Sequence, residues 1–228
     1  MPALPAAAPG APPRDCPACP RLVAYRNSNR EAEPGWWNGP VASWGSLQAR
    51  LLVLGLAPGV RGANRTGRPF TGDYAGMLLY ETLTRFGFAD GRYGADPDDG
   101  LRLRDTRVAN AVRCVPPANL PQPVEIRTCN GFLRDELAAM PALRAVLCLG
   151  VVSHNALLRA RGLPASRQPF KHGQVLQLPA TGDGLPPLLL ADSYHVSRYN
   201  TNTGVLTTAM FEAVVGDLAE RLNKPGGG

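Results

Sequence analysis

Lysine is nearly absent from this 228-residue chain: only Lys171 and Lys224 occur, the second in the KPGGG ending, and neither lies in Gly55–Asp73, Cys114–Asn119 or Ser193–Gly204. A catalytic amine that attacks substrate covalently is therefore disfavoured. No apolar run approaches the roughly 18–20 residues that cross a bilayer. The first thirteen residues (MPALPAAAPGAPP) lack the basic n-region and apolar core of a secretory signal. These absences point to an intracellular, cytoplasmic chain, where clustered cysteines mean metal or redox chemistry rather than structural disulfides. Neither G-x-x-x-x-G-K-[ST] nor G-x-G-x-x-G occurs, so a P-loop and a dinucleotide fingerprint are excluded. No internal repeat is visible.

Acidic residues are outnumbered, 18 against 24 cations, for a net charge of +6. Of the cations 22 are arginines. That ratio fits either a coding bias or a phosphate-facing surface, since guanidinium forks suit phosphate oxygens. The balance favours an acidic macromolecular partner over a membrane.

Apolar runs and helical periodicities alternate from residue 50 onward. Ala49–Leu54, Arg107–Val112, Ala145–Leu149 and Pro187–Ala191 read as buried strands. Tyr74–Phe86, Pro123–Met140, Val151–Arg161 and Asn202–Leu222 read as helices, the first with Asp73 as cap and Gly87 as stop. The alternation predicts an α/β protein with a parallel sheet covered on both faces and ligands beyond the carboxyl ends of its strands. One domain is expected over residues 14–222, between a disordered leader (1–13) and a flexible tail (223–228).

Three segments that follow strands carry chemistry. Gly55–Asp73 holds five glycines, two prolines and the arginines Arg61, Arg65 and Arg68, a composition that lets backbone approach a ligand closely. Phe70 offers a flat surface there, and Asp73 a carboxylate that caps a helix, orients water, or does both. Cys114–Asn119 follows the second strand. Ser193–Gly204 is polar and contains His195, whereas His154 and His172 read as structural. Cys16, Cys19, Cys114 and Cys129 form a C-x2-C…C-x14-C pattern that suits a metal or cluster; the spacing alone also permits tetrahedral zinc. Cys148, inside an apolar run, reads as a core thiol.

GLAPG (Gly55–Gly59), NRTGRPFTGD (Asn64–Asp73), AVRCVPPANLPQP (Ala111–Pro123) and SYHVSRYNTNTG (Ser193–Gly204) occur in an order that resembles the uracil-DNA glycosylase superfamily, specifically its iron–sulfur type B (family 5) enzymes. The resemblance covers roughly residues 14–222. It implies a three-layer α/β/α sandwich around a four-stranded parallel sheet, and a monomer that removes uracil and other deaminated bases from DNA. The four cysteines would then bind a [4Fe-4S] cluster with a structural role, joining the start of the domain to the loop that carries Asn119.

The same resemblance assigns Asp73 to position the attacking water and His195 to stabilise the leaving base. Gly55, Ala57, Pro58, Gly59, Phe70, Asn110 and Asn119 would form the base pocket. Asn110 occupies a position where type A enzymes carry a base-reading asparagine and type B relatives a small apolar residue, which would narrow the substrate range. Leu56 stands where many superfamily members have Asp, Asn or Glu, so the burden shifts to Asp73 or to the backbone of Ala57–Gly59. Arg61, Arg65 and Arg68 would meet phosphates. Ser197, Arg198, Tyr199 and Asn200 would enter the duplex, with Tyr199 as the wedge. Two other readings remain open at this point: a non-catalytic nucleic-acid-binding protein with a zinc site, and an enzyme acting on small nucleotides.

Overall fold

The computed structural model describes residues 9–224. The first half contains α1 (Pro20–Ala32), β1 (Trp44–Gly45), β2 (Leu51–Gly55), α2 (Ala63–Thr66), α3 (Tyr74–Arg85), β3 (Ala89–Asp90), β4 (Arg102–Leu103) and β5 (Thr106–Asn110). The second contains α4 (Pro123–Ala138), β6 (Ala145–Leu149), α5 (Val151–Ala160), β7 (Val175–Leu178), β8 (Leu188–Ser193), α6 (Arg198–Asn202) and α7 (Thr208–Asn223).

β2, β5 and β6 are buried at every residue, as strands covered on both faces must be. They pair in parallel with β8 in the order β5-β2-β6-β8. Alternation along each strand sorts side chains to two cores. Leu51 and Val53 point to α3 and α7, packing with Leu79, Leu83, Phe211 and Leu218. Leu52 and Leu54 point to α4 and α5, packing with Leu133, Leu137 and Leu157. The result is the expected α/β/α sandwich. No helix among the described residues is long and apolar enough to cross a membrane.

The sheet is larger than the sequence reading: β1 and β7 extend it to six strands, each antiparallel to its neighbour. The terminal helix also starts later than Asn202. Gly204 adopts φ 73° and ends the short α6, and α7 begins where the Thr207 hydroxyl accepts the Met210 N–H at 3.2 Å. α1 was invisible to periodicity because it buries only Leu22 and Arg26. The domain begins before residue 14. Gly10 packs on α4, where an added Cβ would meet Glu136 Cβ at 2.5 Å, and the Pro13 carbonyl accepts the Cys16 N–H at 3.0 Å. Residues 1–8 of the expected leader and 225–228 of the expected tail lie outside the described residues.

Candidate active site

Gly55 and Asn110 are register partners at the carboxyl ends of β2 and β5, and the segment carrying His195 leaves β8 at the same edge. Ala57, Pro58, Gly59, Ala63, Phe70, Asp73, Ala75, Asn110 and His195 line one cavity there, with about 270 Å³ of empty space. Gly55 sits behind the wall. A Cβ on Gly55 would fall 2.5 Å from Asn110 Oδ1 and collide with the Phe70 ring, so glycine is what lets both side chains reach the cavity. Leu56 does not line it.

Phe70 is held in the left-handed region at φ 50°, where a non-glycine residue is strained. The surroundings enforce that conformation. The Tyr93 hydroxyl donates to the Phe70 carbonyl at 3.1 Å and accepts the Gly72 N–H at 3.2 Å. The Tyr80 hydroxyl donates to the Pro69 carbonyl at 2.6 Å. Gly76 of α3 leaves the space this needs, since a Cβ there would lie 2.7 Å from Tyr93 Cζ. Fixed this way, the Phe70 ring is 7% exposed and stacks on the His195 imidazole.

Asp73 is the N-cap residue of α3, yet no closed side-chain cap hydrogen bond forms. Among the described residues its Oδ1 is buried without a partner. Its carboxylate lies over the Gly59–Gly62 turn: a Cβ on Gly59 would come within 2.8 Å of Oδ2, and one on Gly62 within 2.7 Å of Cγ. Burial raises the carboxyl above its ordinary value, and the nearby N–H groups of Gly76 and Ala75 oppose that in part.

Burial pushes His195 down to about 4, so its ring is neutral at neutral pH. Asn200 Nδ2 donates to the His195 carbonyl at 2.8 Å and ties the backbone to α6. The other histidines are structural. His154 Nδ1 lies 2.9 Å from Asp192 Oδ1 and Nε2 lies 2.7 Å from the Gln168 carbonyl. Two acceptors call for the imidazolium form, and its pKa is raised: desolvation opposes the charge, but the Asp192 carboxylate outweighs it. His172 accepts the Tyr194 N–H at 3.1 Å.

Of the residues expected on DNA, Arg61 and Arg65 are exposed near the cavity rim, Arg65 Nε donating to the Arg61 carbonyl at 2.9 Å. Arg68 must be withdrawn from that set. It is 6% exposed, donates to both oxygens of Asp99 at 2.8 and 2.7 Å and to Thr71 Oγ1 at 2.7 Å, and stacks 4.6 Å above Trp44. With a further bond to the Pro97 carbonyl at 3.1 Å, four of its five N–H donors are used inside the protein, and its burial keeps it from a phosphate. Ser197 caps α6 by accepting the Asn200 N–H at 3.3 Å, Arg198 lies 5.4 Å over the Tyr74 ring, and Tyr199 is 73% exposed. Asn119 does not line the cavity. It sits in an exposed turn where Ala118 and Asn119 take φ 55° and 57° in succession, a strain that persists only where the surroundings impose it.

Cys16, Cys19, Cys114 and Cys129 line a second, mostly apolar cavity with about 340 Å³ of empty space, together with Leu22, Arg26, Val112, Arg113 and Phe132. Burial first, and then their mutual charge, raises the Cys19 thiol to about 11 and Cys114 to about 12. Among the described residues no three His, Cys, Asp or Glu side chains converge closely enough for a single ion. Four thiols that line one apolar space are a donor set for a thiolate-held group. Cys148 lies apart, buried in β6.

Sequence reasoning did not single out Ala63, Ala75, Gly62, Gly76 or Tyr93. A glycine within the apolar periodicity of α3 was the one available signal, since such a residue marks a close approach.

The description "Uracil DNA glycosylase superfamily" belongs to the family model that matches residues 42–219. The chain belongs to that superfamily. The type-5 uracil-DNA glycosylase of Thermus thermophilus is 44% identical over 205 residues, covering 88% of this chain and 90% of that protein. The type-5 uracil-DNA glycosylase of Pyrobaculum aerophilum is 40% identical over 205 residues, covering 88% and 86%. A type-4 uracil-DNA glycosylase of the same organism is 30% identical over 165 residues, covering 72% and 70%.

Proposed function

We propose that this chain is a monofunctional DNA glycosylase of the iron–sulfur type that hydrolyses the N-glycosidic bond of uracil, and of other deaminated bases, in DNA. The observation that carries the reading is a buried carboxylate oxygen of Asp73 that has no partner among the described residues, in the wall of a cavity that also holds a neutral His195.

A base must leave the stack to reach that cavity. Phe70 supplies the stacking surface and Asn110 the amide that reads the base edge. Ionised Asp73 holds a water and takes its proton as the water oxygen bonds to C1′ and the C1′–N bond breaks, a role worth about 10²- to 10⁴-fold. The electron pair leaves with the base, and His195 donates a hydrogen bond to the oxygen where that charge collects, worth about 3 kcal/mol. Arg61, Arg65 and α6 face the backbone, with Tyr199 poised to fill the vacated stack. Asn119 acts from the exposed turn after Cys114.

Cys16, Cys19, Cys114 and Cys129 would hold a [4Fe-4S] cluster that supplies a structural clasp between the start of α1 and the segment from Cys114 to α4. The enzyme is read as a monomer in the cytoplasm, working on nucleoid DNA. Excision from duplexes carrying uracil, hypoxanthine, xanthine or thymine opposite each partner base tests the reading. Release of uracil is required, and failure to release any of these bases would overturn it.

A further inference from the structure

The surroundings of the cysteine cavity carry more positive charge than the protein itself neutralises. Arg26 is 4% exposed and Arg113 1% exposed, and both line that cavity. Among the described residues the Nε atoms of both are buried without a partner. Arg26 donates, among the described residues, only to the Cys16 carbonyl, at 3.1 Å, and no carboxylate among them pairs with it; Asp15 pairs with Arg30 instead. Arg113 donates to Glu136 Oε2 at 2.5 Å, but Arg107 donates to Oε1 of the same carboxylate at 2.6 Å. Two cations share one anion there. The neighbouring pair of Arg21 and Glu125 is neutral.

An uncompensated buried charge is costly, and two adjacent ones need an anion to sit against. We propose that Arg26 and Arg113 form a cationic cradle that balances a dianionic metal–tetrathiolate held by the four cysteines. Arg26 brings one net positive charge, the group of Arg107, Arg113 and Glu136 brings a second, and among the described residues the Nε–H of Arg26 and that of Arg113 have no acceptor. The backbone is already committed the same way, since the Arg113 N–H donates to Cys129 Sγ at 3.3 Å. Hydrogen bonds and net charge around thiolate sulfurs set both the retention and the potential of such a group. Arg26 and Arg113 are thus positioning residues for the cofactor.

The inference rests on the cysteine site being filled. A tetrathiolate zinc carries the same net charge as a [4Fe-4S]²⁺ cluster with four thiolates, so metal content of the purified parent decides the identity of the group separately. The test uses full-length, metal-loaded protein with Arg26→Gln, Arg26→Lys and, as control, Arg161→Gln. Arg161 is also buried with a free Nε, but it bridges the carbonyls of Pro179 and Pro186 away from the cysteines. Arg26→Gln should release its metal to a chelator roughly 10- to 100-fold faster than the parent. Arg26→Lys should fall between, because it keeps charge but loses the fork.

Where the metal is iron, the potential of Arg26→Gln should move to more negative values and that of Arg161→Gln should not. Release unchanged in Arg26→Gln would overturn the proposal. So would equal acceleration in Arg161→Gln, which would reduce the effect to general destabilisation. If Arg26→Gln fails to accumulate, the potential and release rate of Arg26→Lys carry the same decision.

Discussion

The Phe70 ring and the His195 imidazole face each other with centroids 6.1 Å apart and planes 29° from parallel. Each shields the other from water, and burial is what holds His195 down at about 4. In Phe70→Ala, solvent reaches the imidazole and its pKa should climb toward the ordinary value of about 6.5. Titration of the imidazole carbon protons by NMR reads this directly. A value still near 4 would show that other walls keep the ring dry. Excision should fall roughly 10- to 100-fold, matching the 1–3 kcal/mol of a base–aromatic stack. The sign for stability follows from a folded pKa below the unfolded one. The His195 contribution is full above about 6.5 and is lost as pH falls toward about 4.

Asp73 has the opposite sign. Its folded pKa is raised by burial, so folding favours the protonated carboxyl, and that contribution is lost as pH rises through the raised value. In the proposed mechanism the working form is nevertheless the carboxylate. The acid limb of single-turnover excision should therefore lie above the ordinary aspartate value of about 3.9. Asp73→Asn should remove that limb and slow excision by about 10²- to 10⁴-fold while leaving duplex binding nearly intact. It should also raise the melting temperature at neutral pH, because it replaces a buried carboxylate whose Oδ1 has no partner. Excision at the parent rate would remove Asp73 from the mechanism.

Gly62 tests the same carboxylate from behind. A methyl group there would lie 2.7 Å from Asp73 Cγ and 3.1 Å from its Cβ, so the side chain must move. A displacement of about 1 Å costs on the order of 10²-fold where geometry controls the reaction. Gly62→Ala should lower the single-turnover rate by that order with little change in uracil-duplex affinity. Loss of affinity with the rate preserved would mean that the turn serves DNA binding instead.

β2, β6 and the first half of β8 were legible as apolar runs, a pattern that burial on both faces produces, whereas β5 carries Thr106, Arg107 and Asn110 and showed only a short apolar centre. The edge strands were not, since β1 spans only Trp44–Gly45 and β7 is half-exposed. Phe70, Asp73, Asn110 and His195 could be grouped in advance because parallel topology brings segments that follow β2, β5 and β8 to one edge. Arg68 defeated the reading for a physical reason. Its partner Asp99 lies 31 residues further on, and nothing local distinguishes an arginine that will be buried in an ion pair from one that faces solvent. Tyr93 was missed likewise, because its clamp on Phe70 exists only after the β3–β4 hairpin folds over α3.

That difference between arginines has separate readouts. Arg61 and Arg65 are exposed, and if each neutralises one phosphate, replacing either by Gln should lower the slope of log affinity against log salt by about 0.9. Arg68→Met should leave the slope alone and cost about 3 kcal/mol or more of stability, since Asp99 is left buried without its partner. The guanidinium holds the Asp99 carboxyl down at about 2. Its contribution is therefore present above about 3.9 and lost as pH falls toward about 2, so Arg68→Met should flatten the acid side of the stability profile. An altered salt slope in a folded Arg68→Met protein would restore Arg68 to the DNA-facing surface.

The cysteines divide cleanly by position. Cys148 is fully buried among Leu54, Val146 and Leu190, and its thiol is held protonated by burial. Cys148→Ala should keep the visible absorbance and metal content of the parent at a cost of about 1 kcal/mol. Cys114→Ser removes one donor from the cavity shared with α1, so it should lose metal and melt earlier, with the segment from Cys16 to α1 becoming protease-sensitive first. Excision by the fraction still folded should fall less than duplex affinity does, because Asp73 and His195 approach from segments that the cysteines do not hold. Complete loss of single-turnover chemistry with affinity intact would assign the cofactor to the reaction itself.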